Sequence, residues 1–148
     1  MSKVIEKKIK RTFSGHETFS CRSYWPKKGY EFLNNGFEFN EIDALVKLCV
    51  GKNMVSSIKH WVKSFGIVND DGSLSSFWSV ILDNKGYDPY LENKGTLWLL
   101  HYYIVKTNYA NLYNEVFNEF RKEKIEFVKS QLLKFIISKL EIEGFKNF

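Results

Sequence analysis

The sequence predicts a mainly α protein, with a winged-helix-like helix-turn-helix domain on its N-terminal side and additional C-terminal helices. Three observations predict it. Lys47 to Gly66 reads as the end of one helix, a tight turn and a second helix closed by glycine. Val55, Ile58, Val62 and Phe65 recur at helical spacing on one side of that second helix. Lys52, Ser56, Lys59 and Lys63 recur on another side, and no acidic residue interrupts the run from Gly51 to Gly66. A helix so divided packs its apolar face on a domain and keeps a cationic, hydrogen-bonding face for phosphates.

The chain divides into three parts. Residues 1–12 form an expected flexible basic arm, with Lys3, Lys7, Lys8, Lys10 and Arg11 against Glu6. Residues 13–90 make the winged-helix-like domain, and residues 91–148 a helical extension. At the domain's start, aromatics bracket a small polar turn in Phe13-Ser14-Gly15-His16-Glu17-Thr18-Phe19. Gly15 allows the bend and Ser14 or Thr18 offers a cap. His16 beside Glu17 is expected to shape this loop, since no second histidine follows four residues on as a zinc-protease motif requires.

A first helix begins near Trp25, with Pro26 in its first turn, and stops at Asn35-Gly36. Tyr30 and Leu33 are expected inside, with Lys27 and Lys28 outside. Asn40 is expected to cap a second helix, with Glu41 and Asp43 favourable at its positive end. Ile42, Leu45, Val46, Leu48 and Cys49 would be its buried stripe. The third helix runs from about Lys52 to Ser64, with Gly66 as the glycine just past its end. Ile67-Val68, the turn signal Asn69-Asp70-Asp71-Gly72-Ser73 and Leu74 then read as a hairpin, the wing. A further helix over Ser76 to Leu82, with Phe77, Val80 and Ile81 inward, would keep that wing short. Residues 84–90 are a loop.

Thr96 to Val105 is apolar almost all round, which predicts a helix buried on several sides, with His101 in the core or at an interface. Leu112, Val116 and Phe120, with Phe117 alongside, suggest a short amphipathic helix. Ile125, Val128, Leu132, Ile136 and Leu140 trace a longer one, and Phe127, Phe135 and Ile137 widen its stripe. This helix, 123–142, is expected to pack on residues 97–105 or to pair with a second copy as a homodimer. The chain stops at Glu143 to Phe148 without a closing element, so a longer architecture is expected.

Composition narrows the function. A 44% apolar content sustains a packed core, and nine glycines with two prolines are too few for a disordered chain. The net charge of +5 is compatible with nucleic acid without demanding it. Its excess is uneven: residues 1–74 carry twelve Lys and Arg against eight Asp and Glu, and residues 75–148 ten against nine. The half with the cationic helix therefore holds most of the surplus. Cys21 and Cys49 have neither disulfide-framework nor metal-knuckle spacing, and read as free thiols of a cytoplasmic protein. The first eleven residues lack the apolar run of a signal peptide. The longest apolar run, Leu97 to Val105, falls far short of the roughly 20 residues a membrane helix needs.

No enzyme, cofactor or metal site is expected. Asp70, Asp71, Asp83, Asp88 and Glu92 are scattered through turns instead of clustered as a metal-dependent nuclease needs. Gly51-Lys52 resembles the tail of a phosphate loop, but the upstream glycine is missing and Asn53 stands where Ser or Thr belongs. The candidate contacts to double-stranded DNA are Lys52, Asn53, Ser56, Ser57, Lys59, His60 and Lys63. The lysines give salt-dependent affinity, while Asn53 and Ser56 are suited to base edges. Arginine, the commonest base reader, is absent from this helix, so the expectation is mainly backbone contact. The alternative is a non-enzymatic protein-interaction scaffold that spends the aromatic surplus on a partner.

Several words of the sequence carry a resemblance. They are Phe13 to Phe19, Arg22, Trp25 with Lys27-Lys28-Gly29-Tyr30, and Val50-Gly51-Lys52-Asn53-Met54-Val55 with Ser57-Ile58 and Trp61. Asp88-Pro89-Tyr90-Leu91-Glu92 and Thr96-Leu97-Trp98-Leu99-Leu100-His101 continue the series. In this order they resemble the prokaryotic domain-of-unknown-function family numbered 4007. The resemblance implies a place among bacterial defence and DNA-modification systems, including DNA phosphorothioation, with other defence proteins as partners. It implies a longer protein and supplies no catalytic residue. The chain departs from the family's habit at Ser20, Pro26 and Cys49, where proline, leucine and glycine are usual. Cys49 matters most, since a left-handed bend there costs a non-glycine residue about 1 kcal/mol.

Overall fold

The computed structural model describes residues 14–144, so the arm expected at 1–12 lies outside the described residues. The architecture is mainly α. Helix α1 spans Trp25–Asn34, α2 Ala44–Leu48, α3 Lys52–Ser64, α4 Ser76–Leu82 and α5 Lys94–Thr107. Then come α6 (Asn111–Asn114), a π-helical stretch (Glu115–Phe120), α7 (Arg121–Glu123) and α8 (Lys129–Ile142).

Helix α3 is the centre. Val55, Ile58, Val62 and Phe65 are all buried, as their spacing predicts. The helix ends where Gly66 turns left-handed (φ +64°), its N–H donating to Lys63 O while Ile67 N–H donates to Val62 O. Helix α1 lies across it at very short range. A Cβ on Gly29 would come within 2.4 Å of Val62 Cγ1 and 3.0 Å of Ile58 Cγ2. Trp25 and Tyr30 pack beside that crossing, and Phe32 closes on Ala44, Leu48 and Val55 in a smaller cluster that seats α2.

Helix α2 departs from expectation. It starts only at Ala44, and Asn40 caps nothing; its Oδ1 accepts from Lys59 Nζ at 2.8 Å. A five-residue helix offers one inward face, taken by Ala44 and Leu48 at i and i+4. Ile42 is therefore 97% exposed, and Leu45, Val46 and Cys49 are exposed with it. Lys28 Nζ donates to Leu48 O at 3.0 Å, satisfying a carbonyl at the helix end. Cys49 itself makes the left-handed bend (φ 51°, ψ 46°), while Gly51 is extended.

Lys27, expected outside, is 4% exposed. Its Nζ donates to Leu82 O at 2.6 Å and Asn84 Oδ1 at 2.9 Å, with the Glu31 carboxylate 3.1 Å away. A cation at the carbonyl end of α4 is favoured by the helix dipole, and here it ties α1 to α4. Helix α4 buries Trp78, Ile81 and Leu82. Phe77 and Val80 lie outside this buried set, at 40% and 56% exposed, with the Phe77 ring stacked on Tyr103.

Among the described residues no strand forms. Val68 and Leu74 make a single antiparallel bridge, flanked by Asn69 N–H to Ser73 O and Ser75 N–H to Ile67 O, both 2.9 Å. The return segment has no length in which to pair, since α4 begins at Ser76.

Helix α5 also differs from expectation. It is anchored by Asn93 Oδ1, which accepts from Gly95 N–H, and by buried Asp88, which accepts from the N–H groups of Glu92 and Asn93. Burial alone would raise the Asp88 carboxyl. Hydrogen bonds from Thr96 and from the backbone of Glu92, Asn93 and Leu91 outweigh it and hold the group below its ordinary range. Only Thr96, Leu100 and Ile104 of α5 are buried. Leu97, Trp98 (72% exposed) and Tyr102 face outward, so the helix is buried on one side and not on several.

The helix expected over 123–142 is broken. Lys124 is extended (φ −147°), and α8 starts at Lys129. Helix α8 packs back on the π-helical stretch: Phe135 and Phe127 each lie 4.8 Å from Phe120 by ring centroid, and Leu140 is buried. Lys139 pairs with Glu119 across the same contact. Ile125, Val128, Leu133 and Ile142 remain exposed.

Two substitutions test these points. Gly29→Ala gains helix propensity worth about 1 kcal/mol, yet sets a methyl against a stiff β-branched side chain that cannot retreat, at a cost of roughly 1–3 kcal/mol. The expected result is net destabilisation in denaturant melts; a variant more stable than the parent would refute the close crossing. Cys49→Gly removes about 1–2 kcal/mol of left-handed strain against roughly 0.5–1 kcal/mol of added unfolded-chain freedom. A thermal melt should show a small rise, of order 1–2 °C, and Cys49→Val, β-branched at positive φ, should melt lower than the parent.

Candidate nucleic-acid interface

At 3.6 residues per turn, the thirteen residues of α3 divide into three faces about a third of a turn apart. One, with Val55, Ile58 and Val62, meets α1 and α2. A second carries Lys52, Ser56, Lys59 and Lys63. The third carries Ser57, His60, Trp61 and Ser64 toward α5 and α6. Of the seven expected DNA contacts, Lys52, Asn53 and Ser56 are exposed, and Lys59 and Lys63 are half-buried with solvent access. Ser57 (0% exposed) and His60 (5%) are not on this surface. Their positions fall beside Trp61 and Ser64 on the helix wheel, so the same periodicity that aligns the lysines turns them inward.

The surface around the lysines is mixed. Lys59 is held by Asn40, and Lys63 borders two recesses. One recess, near 360 Å³, also holds Phe39, Asn40 and Asp71; the other, near 390 Å³, holds Asn69, Asp70, Ser75 and Lys106. The turn after α3 thus flanks its cationic face. Lys106 arrives from the end of α5, a neighbour that sequence periodicity did not reveal because it lies 43 positions from Lys63. Lys52 and Lys63 have no ion-pair partner among the described residues. Lys47, by contrast, is held by Glu41 at 2.7 Å and Asp43 at 3.1 Å.

The loop of residues 14–21 closes the third face. Glu17 adopts φ 54°, its N–H donating to Ser14 O, and Trp61 Nε1 donates to Phe19 O at 3.3 Å. This brings His16 to 5.8 Å from both His60 and Trp61 by ring centroid. His16 therefore sits at a junction between this loop and α3. Burial pushes the Cys21 thiol up to about 12, leaving it protonated. Among the described residues, neither Ser57 Oγ nor His60 Nδ1 has a hydrogen-bond partner.

The model for the family described as Protein of unknown function (DUF4007) matches residues 13–147. The chain belongs to this family. No curated protein matches it. Among solved structures, a magnesium-ion-bound SspB crystal structure is 37% identical, with a TM-score of 0.56 over 64% of this chain and 31% of that one. A second SspB crystal structure is also 37% identical, with a TM-score of 0.55 over 63% of this chain and 31% of that one. The matched part of this DUF4007 chain thus spans about a third of SspB. Among the described residues no group of three or more His, Cys, Asp and Glu side chains is placed to hold a metal ion, and no helix is long and apolar enough to cross a membrane.

His60 makes a pH-dependent prediction. Burial, with the charge of His16 adding to it, pushes its imidazole down to about 4 from an ordinary 6.5. Between those values the unfolded chain binds a proton that the folded chain does not, so stability falls as pH drops from about 6.5 toward 4. The slope from this group does not exceed about 1.4 kcal/mol per pH unit. Denaturant melts at several pH values across that window should show a shallower dependence for His60→Gln than for the parent. Identical slopes would mean that His60 titrates normally.

Proposed function

We propose that this chain is a DNA-binding module of a prokaryotic defence or DNA-modification system, contacting mainly the phosphate backbone. The observation that supports it most is the cationic face of α3. Lys52, Ser56, Lys59 and Lys63 line one side of a helix that carries no carboxylate, and that side is turned to solvent while the other two are packed. The order of α1, α2 and α3 followed by a bridged turn supports a winged-helix-like arrangement with a reduced wing. The active set is Lys52, Asn53, Ser56, Lys59 and Lys63, with Lys106 added; Ser57 and His60 drop out because they are buried. The role is that of a binding module and not of an enzyme. Cytoplasmic placement and partnership with other defence proteins belong to the same proposal.

A non-enzymatic protein-interaction scaffold is the second reading. Leu97, Trp98 and Tyr102, exposed along α5, favour it, because apolar surface grouped on one helix marks an interaction site. A homodimer through residues 123–142 has less support, since α8 already uses Leu140 and Phe135 inside the chain.

The two readings separate in one experiment. Fluorescence anisotropy of a labelled duplex at roughly 50 and 200 mM salt should show affinity that falls steeply with salt. Replacing Lys52 and Lys63 by glutamate should weaken binding and lower the log–log salt slope by about 2, one per lost phosphate contact. Absence of binding at the lower salt, or a slope unchanged in the double variant, would remove the DNA reading and leave the scaffold.

A further inference from the structure

Two rows of residues, each stepping by four, wind together along α5. Thr96, Leu100 and Ile104 form the buried one. Lys94, Trp98, Tyr102 and Lys106 form the other, two positions out of step with it, and all four are exposed. On a helix of 3.6 residues per turn a two-position offset sets the rows roughly opposite each other. Packing the first row therefore turns the second to solvent. Trp98 is 72% exposed, whereas Trp25, Trp61 and Trp78 are buried. The outer row thus holds two open rings between two cations.

The charge around these rings is one-sided. From Asn93 to Asn114 the chain has no aspartate or glutamate, and its two cations are Lys94 and Lys106. Lys106 Nζ lies 5.5 Å from the Tyr102 ring and 5.3 Å from the Tyr103 ring by centroid, which keeps its charge beside the row. Glu92 just precedes the span, and Asp70 borders the recess that Lys106 enters. Among the described residues neither carboxylate pairs with the lysines of the row. Such a face suits some occupants and not others. Pairing with a second copy sets Lys94 on Lys106 when the rows run antiparallel, and each lysine on its twin when they run parallel. Like charges meet either way, at a cost. An occupant that alternates flat rings with negative charge answers both features, since bases stack on aromatic side chains while lysines meet the phosphates. Spacing agrees. Trp98 and Tyr102 start one turn apart, about 6 Å along the axis, nearly twice the roughly 3.4 Å per nucleotide of a duplex strand. An extended single strand, and not a stacked one, matches the rings base for base. DNA is the simpler occupant, because α5 presents no carboxylate or amide side chain to accept from a ribose 2′-hydroxyl.

We propose that the exposed row of α5 binds single-stranded DNA, with successive bases stacked on Trp98 and Tyr102 and the flanking phosphates at Lys94 and Lys106. The site needs neither a duplex nor any residue of α3, so it does not rest on the reading of the α3 lysine face. Lys106 is the one residue the two surfaces share. The row also gives the exposed rings of α5 a nucleic-acid occupant in place of a protein one.

The test is titration of the full chain with an oligothymidylate of about twelve nucleotides, within the usual span of a single-strand site, read by tryptophan emission. Of the four tryptophans Trp98 alone is exposed, so a base stacked on it should quench the emission. Trp98→Phe should abolish the quench and keep most of the affinity. By anisotropy of a labelled strand, Trp98→Ala and Tyr102→Ala should each weaken binding about fivefold or more, the scale of one lost base stack. Lys94→Gln with Lys106→Gln should lower the log–log salt slope by about 1.4, or roughly 0.7 for each single-strand phosphate contact. Both rings are exposed, so melts should match the parent, and Tyr102→Ala carries the test if Trp98→Ala does not fold. The Lys52→Glu, Lys63→Glu double variant should bind the strand as the parent does, and Trp98→Ala should leave affinity for a matched duplex unchanged. No quench, affinity indifferent to both alanine variants, or an equal loss for the duplex would each overturn the proposal. So would a dimer in light scattering that Trp98→Ala dissociates, or an oligouridylate preferred about tenfold. Duplex binding indifferent to Lys52→Glu with Lys63→Glu, beside single-strand binding that needs Trp98, would remove the α3 reading and support this one.

Discussion

The backbone of α1 approaches α3 as closely as it does only because residue 29 carries no side chain. Val62 fills the space a Cβ would take, and Ile58 closes it from the adjacent turn. From that crossing much of the rest follows by reach. Lys27, two residues before the glycine, is delivered to the carbonyl end of α4. Lys28 is delivered to the end of α2. Once α1 holds one face of α3, Trp61 on another is presented to the loop at 14–21, where its indole N–H finds Phe19 O. At the far end, Thr107 Oγ1 donates to Ser64 O at 2.7 Å and fixes α5 against the same helix. Two lysines thus act as structural ties, which lowers the number of cations free to meet an external anion.

What the sequence revealed and what it hid have one physical cause. The periodicity of α3 was legible, bounds included, because a thirteen-residue helix samples its wheel fully and ends at a glycine with positive φ. The five-residue α2 samples little more than one turn. Its composition could not show that Ala44 and Leu48 face inward while Ile42 and Val46 do not. Helix α5 misled for the opposite reason. When nearly every position is apolar, periodicity carries no phase, and only the packing shows that Thr96, Leu100 and Ile104 form the buried line. The break at 124–128 was hidden because an apolar stripe at helical spacing continues across it.

The candidate site was legible in the same graded way. The alignment of Lys52, Ser56, Lys59 and Lys63 follows from spacing alone. Ser57 and His60 were misplaced because residue type, and not wheel position, had put them with the lysines. Lys106 and the approach of His16 to His60 were invisible, since each depends on contacts between segments tens of residues apart. The one available signal was the density of aromatic residues around those histidines, which composition records without saying where the rings meet. Resemblance to a family marked Phe13 to Phe19 as a distinctive word, and the structure gives its described part, residues 14–19, a physical role in closing the third face of α3.

Within the DNA-binding proposal, the turn after α3 bears on how a phosphate backbone would be met. In a winged helix the hairpin after the third helix adds a second contact to the duplex. Here that segment is a turn carrying Asp70 and Asp71, and Asp71 accepts from both the hydroxyl and the N–H of Ser73. Those two bonds hold its carboxyl below the ordinary range, so the turn keeps its negative charge well into acidic conditions. A charge of that sign beside Lys63 opposes a phosphate approaching from the turn side. It leaves the start of α3, with Lys52, Asn53 and Ser56 exposed and Gly51 N–H at the positive end of the helix, as the less hindered approach. Within the DNA-binding proposal, contact is therefore weighted toward the first half of α3, and the turn acts as an electrostatic boundary to the footprint instead of an extension of it.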